Sequence, residues 1–184
     1  MQLQYREDKT TQAAARLLSL HGGTMNHMKL IKLLYFADRR MLLQCGRPIS
    51  FDWYYSLPHG PVLSFTLNKI NAEPEPEGGS YWHEYISERQ DNEVLLLVDR
   101  VPNDQLSPAE EQTLDAVFAE FGSKTQWELR DLSHRLPEWQ DPHGSSVPIE
   151  IRDILLGDGL SEEDAQEIVE ALCAEAEADR LLGQ

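Results

Sequence analysis

The segment KLIKLLYFADRR, residues 29–40, constrains the fold more than any other stretch of the chain. Leu30, Leu33, Leu34, Ala37 and Met41 follow the i, i+3, i+4 spacing of one helical face. Ile31, Tyr35, Phe36 and Leu42 fall off that stripe. A helix that is apolar on most of its circumference is buried, either between other elements or in a bilayer. Lys32 interrupts the run, Asp38 ends it, and no apolar stretch approaches the roughly 20 residues of a membrane span. The segment is therefore expected to be an interior strut, starting near Thr24 or Asn26 and running to Cys45. Gly46 is its stop, and Pro48 lies beyond it.

The neighbours of the strut read as a mainly α-helical α+β arrangement with a small antiparallel β-sheet. A first helix is expected over residues 8–21, ended by Gly22-Gly23. In ISFDWYYSL, Ile49, Phe51, Trp53, Tyr55 and Leu57 alternate with Ser50, Asp52, Tyr54 and Ser56. Period two predicts a strand over about 48–57 with one face buried and the Tyr54 face outward. Gly60 and Pro61 suit the N-cap and first position of a short helix through Val62, Leu63, Phe65, Leu67 and Ile70 to Asn71. The Pro- and Glu-rich residues 72–80 read as a mobile loop. YWHEYIS and EVLLLVDR, joined by ERQDN, read as a hairpin over about 81–100. Capping boxes at Ser107–Glu110 and Thr125–Glu128 open helices that end near Gly122 and Leu136. A short helix follows over residues 149–156, and an acidic amphipathic helix over about 161–182.

A length of 184 residues suits one domain, residues 1–184, and a chain this long can bury roughly 70% of its unfolded surface without staples. Two cysteines with no pairing motif fit a reducing, cytoplasmic setting, and MQLQYREDKTTQ is too polar for a signal peptide. The formal charge of −16 is uneven: residues 1–70 carry nine bases and four acids, a net of +5, which leaves −21 for the remainder. Such acidity serves solubility or steers a basic partner, and it repels nucleic acid.

Six histidines are scattered, at 21, 27, 59, 83, 134 and 143, with neither a His-Glu-x-x-His motif nor a cysteine at ligand spacing. There is no Gly-x-Ser-x-Gly elbow and no phosphate-cradling glycine loop. The pattern calls for no catalytic residue, metal or cofactor. His59, beside an expected helix start, has two readings: a hydrogen-bonded tether, or with His134 a candidate base in a hydrolase. Two helices separated by His-Gly-Gly also admit a helix-turn-helix regulator, with Lys29, Lys32, Arg39 and Arg40 on phosphates. Against it stands the small polar surface of that helix.

The residues Lys29, Leu30, Lys32, Leu33, Leu34, Tyr35 and Ala37, followed by Gly60, Pro61 and Val62, resemble the motif of the Panacea (SocA-like) antitoxin family. LSHRLPEW, with Ser133, His134 and Trp139, resembles that family's later Ser/Thr-His and Trp stretch, so the likeness spans roughly residues 24–140. The resemblance implies a cytosolic bacterial or phage-borne module without catalytic residues that neutralises a protein toxin by direct binding. A variant hands its toxin to a protease. The motif residues would then be scaffold: Lys29 and Lys32 with stems on the apolar stripe and heads in water, Tyr35 packing with its hydroxyl partnered, and Gly60-Pro61 turning strand into helix. A toxin would meet outer surfaces, namely Tyr54, His59, or the acidic helix through Glu163, Glu167 and Glu170. That helix also suits a homodimer.

Overall fold

The computed structural model describes residues 4–72 and 80–182, with helix α1 at Glu7–Leu20 and the strut, α2, at His27–Cys45. Asn26 caps α2 by accepting from the amides of Met28 and Lys29, and Gly46 ends it in the left-handed region at φ 72°. Every residue from Lys29 to Asp38 is buried, as are Met41 and Leu42, so the strut is enclosed on all sides. It packs against α1, strand β1 (Thr24–Asn26), strand β3 (Gly60–Leu63), and helices α3 (Ser64–Ile70), α5 (Pro108–Phe121), α6 (Gln126–Ser133) and α7 (Ile151–Gly157). Helix α4 is Tyr81–Tyr85, and α8, Glu162–Leu182, packs on α7. Both expected capping boxes form, at Ser107–Glu110 for α5 and Thr125–Glu128 for α6.

Two small antiparallel sheets complete the architecture. Strand β2 (Tyr54–Leu57) pairs on one side with β3 and on the other with β5 (Val147–Ile149). Strand β1 pairs with β4 (Glu93–Leu95). The buried apolar side chains form one cluster that runs from Ala13 to Leu172.

Several local expectations change. The strand over 48–57 shrinks to β2, and the face expected outward is buried: Ser50, Asp52, Tyr54 and Ser56 lie inside along with Ile49 and Phe51, while Trp53 is 36% exposed. The cause is polar. The Asp38 carboxylate accepts the amides of Ile49 and Ser50 at 3.0 and 3.1 Å, and Phe51 takes φ 54°, which breaks the extended chain. Gly60 and Pro61 belong to β3 rather than to a helix start; Leu57 pairs with Gly60 across a two-residue turn, and α3 begins at Ser64. The hairpin over 81–100 is shorter than expected, because Tyr81–Tyr85 is helical. Its arms meet at the Ile86–Leu96 and Gln90–Glu93 bridges, turned by Asp91 and Asn92 at φ 49° and 68°. Helix α6 ends at Ser133 rather than Leu136, and the short helix of 149–156 starts at Ile151 behind a strand. Of the loop expected at 72–80, residues 73–79 lie outside the described residues.

Candidate partner-binding surface

The motif residues are brought together, but mostly inward. Lys29 and Lys32, expected to hold their heads in water, bury them instead. The Lys29 ammonium donates to the Gly122 carbonyl at 2.6 Å, capping the end of α5, and lies 3.0 Å from His21 Nε2. With His21 Nδ1 donating to the Thr24 carbonyl at 2.8 Å, Nε2 is left as the acceptor. The Lys32 ammonium, 1% exposed as a residue, donates to the Pro61 carbonyl at 2.6 Å, and burial pushes its pKa down to about 7. Tyr35 donates to Glu138 Oε1 at 2.9 Å, and Arg39 Nε reaches the same oxygen at 2.9 Å.

Gly60 is where the separate motif stretches meet. At φ 90° it needs a glycine, and a Cβ there would overlap Ser133 Oγ and stand 3.0 Å from Lys32 Nζ and 3.3 Å from the His134 ring. The glycine, the strut lysine and the Ser-His step thus enforce one another across α2, β3 and α6. His134 lies flat on Trp139, with ring centroids 4.0 Å apart, and the Trp139 indole donates to the Leu57 carbonyl at 3.2 Å, fixing the β2–β3 turn. Burial and the nearby Lys32 charge hold the His134 pKa below its ordinary value. Ser133 donates its hydroxyl to the Arg130 carbonyl at 2.8 Å, so it is not paired with His134 as a nucleophile with its base.

The other expected surface residues divide. Tyr54 is a correction: it is 4% exposed, packs edge-on against Tyr35 with centroids 5.6 Å apart, and donates to Asp38 Oδ2 at 3.0 Å, so it offers a partner nothing. His59 is exposed at the tip of the β2–β3 turn, against the Trp127 ring at 6.0 Å. Glu163, Glu167 and Glu170 are exposed on α8. The helix-turn-helix reading loses its phosphate contacts, since Lys29 and Lys32 face inward, Arg39 pairs with Glu138 and Asp158, and Arg40 pairs with Glu120. Among the described residues no group of three or more His, Cys, Asp or Glu is placed to hold a metal ion.

Sequence reasoning missed three carboxylates. Asp38 takes four donors, the amides of Ile49 and Ser50 and the hydroxyls of Ser50 and Tyr54, while burial raises its pKa to about 6. Asp52 caps α3 from outside: Oδ1 accepts from Phe65 N at 2.9 Å, and Oδ2 from Thr66 N at 2.9 Å and Thr66 Oγ1 at 2.7 Å. Glu138 is the third. The signal was available, because an acid inside an all-round apolar helix, as Asp38 is, must find donors.

A buried strut helix, a glycine turn locked onto it and an outer layer of helices define a mainly helical α+β scaffold. No helix of the described residues is long and apolar enough to cross a membrane. The chain belongs to the family described as antitoxin SocA-like, Panacea domain, whose sequence model matches residues 30–140, more than half of the chain. Neither a curated protein nor a solved structure matches it.

Proposed function

We propose that this chain neutralises a protein toxin by binding it directly, on its outer surface and without covalent chemistry. The observation that carries the reading is the family match over residues 30–140, which contains most of the strut and the Gly-Pro-Val step of β3. Burial of Lys29, Lys32, Tyr35 and Gly60 supports it, since these side chains serve the interior and leave recognition to the outer layer. A preformed frame of this kind loses little conformational entropy when a partner docks.

The test is rescue of growth. A toxic gene found beside that of this chain is expressed in a sensitive host with and without the chain, and the pair is purified. Rescue with a stable complex is the expected outcome; persistent toxicity with no complex formed would overturn it. Delivery to a protease is the variant, and toxin half-life separates the two: occlusion leaves the half-life unchanged, and delivery shortens it.

A further inference from the structure

Most cations in the first part of this acidic chain are already engaged. Lys9, Arg16, Arg39, Arg40 and Arg47 each pair with a carboxylate from Glu110 onward. Arg89 differs. It is exposed, its backbone amide is held by the Ile70 carbonyl, and its guanidinium makes no ion pair among the described residues, not even with Glu88, Asp91 or Glu93 nearby in sequence.

Arg89 lines a hollow of about 300 Å³ together with His27, His59, Asn92, Gln126 and Trp127, and no carboxylate lines it. In a chain with 32 acids and 16 Lys and Arg, this lining carries one guanidinium and no acid, while the exposed Glu88, Asp91 and Glu93 stand close by in sequence. Burial holds the pKa of His27 below its ordinary value, the Asn92 carbonyl works against that shift, and the Arg89 charge adds to it. Trp127 forms the apolar wall. It is 49% exposed, yet its ring is flanked by His59 at 6.0 Å and by the Arg130 guanidinium at 5.1 Å. An exposed, braced indole beside an unpaired guanidinium has the composition of an interface anchor.

We propose that the hollow between the β2–β3 turn, the start of α2 and the start of α6 docks an acidic segment of the protein partner, with a carboxylate on Arg89 and an apolar side chain on Trp127. The inference rests on the antitoxin reading and gives it a location and a partner chemistry. Charge complementarity selects the occupant. A carboxylate supplies the partner that Arg89 lacks, and guanidinium–carboxylate pairs are bidentate and specific. The hollow offers a single guanidinium, enough for one carboxylate, whereas a nucleic acid would bring a continuous run of phosphates against a net charge of −16.

Two arms test it. In the first, the full chain at low salt is titrated with acetyl-Asp-Glu-Phe-Asp-Glu-amide, with its Asn/Gln counterpart and with hexathymidylate. The Arg89 Nε–H and Trp127 indole N–H resonances are followed. The acidic peptide is expected to shift both to saturation, and Arg89→Ser is expected to weaken it about tenfold. No shift, an equal shift in Arg89→Ser, or stronger binding of the oligonucleotide overturns the proposal. In the second, Arg89→Ser and Trp127→Ala are assayed for toxin rescue. Both sites are exposed, so an unchanged thermal melt shows that the variants fold. Loss of rescue in both supports the proposal, and full rescue in both overturns it. If the wild-type chain rescues nothing, the antitoxin reading fails by itself, and the peptide arm alone decides the surface.

Discussion

Lys32 is the residue on which the interior turns. Its ammonium has a carbonyl for a partner and no carboxylate, so burial is uncompensated and the pKa falls to about 7 from the 10.5 of an exposed lysine. Between those two values the unfolded chain holds a proton that the folded chain has shed. Stability therefore rises with pH across pH 7 to 10.5, by at most about 1.4 kcal/mol per pH unit from this group. Below pH 7 both states are protonated and the slope vanishes. Urea unfolding at pH 7 and pH 9 should show this rise in the wild type and its loss in Lys32→Met. Identical pH dependence in the two proteins would mean that the amine stays charged in the fold.

At the scale of elements, most helices were legible, whereas the stretch from 49 to 63 and the helical turn at Tyr81–Tyr85 were not. The strut, the first helix and both capping boxes follow from periodicity and from side chains that act within one turn of their own position. The stretch at 49–57 misleads because its polar residues face inward as well as Ile49 and Phe51. Ser50 and Tyr54 satisfy Asp38, 12 and 16 residues earlier in the chain, and Asp52 caps a helix that starts twelve residues later. Alternation records which residues are apolar, and a buried polar network inverts its meaning. Of the proposed hollow, His59 stood out in the sequence beside an expected helix start that proved to be the β2–β3 turn, whereas Arg89 and Trp127 become neighbours only through the tertiary fold. The external cap has its own expected outcome. Asp52→Ala leaves the donors of Phe65 and Thr66 without their acceptor and should cost about 2–4 kcal/mol in urea unfolding. Hydrogen-exchange protection should fall first at the amides of residues 65 and 66. Uniform loss of protection across the whole chain would contradict a local cap.

Over the whole molecule, the uneven charge is largely a folding device. Five bases of the first 70 residues reach carboxylates from Glu110 onward, so the basic and acidic parts of the chain neutralise each other across the interface between early and late elements. Helix α8 carries part of the remaining acid and is tied to the C-terminal end of the strut by the Arg47–Glu175 pair at 2.6 Å. The hollow lies at the other end of the strut, where His27 and Met28 begin it, roughly 27 Å away along the helix axis. A partner seated in the hollow makes a different demand from one seated on α8. The triple reversal Glu163→Lys, Glu167→Lys, Glu170→Lys changes exposed positions and moves the net charge from −16 to −10. It should leave the thermal midpoint nearly unchanged and, with docking at the hollow, leave toxin capture in a pull-down intact. Lost capture would move the interface to α8.

The sealed amine of Lys32 is also a reporter. An acylating reagent cannot touch it in the closed molecule, and once the chain opens it regains an ordinary lysine pKa and reacts as any exposed lysine does. Mass spectrometry of the peptide bearing Lys32, after timed exposure to such a reagent, should therefore clock rare excursions to the open state, while half-buried Lys124 is modified from the start. If a bound toxin braces the frame, the clock will run slower in the complex.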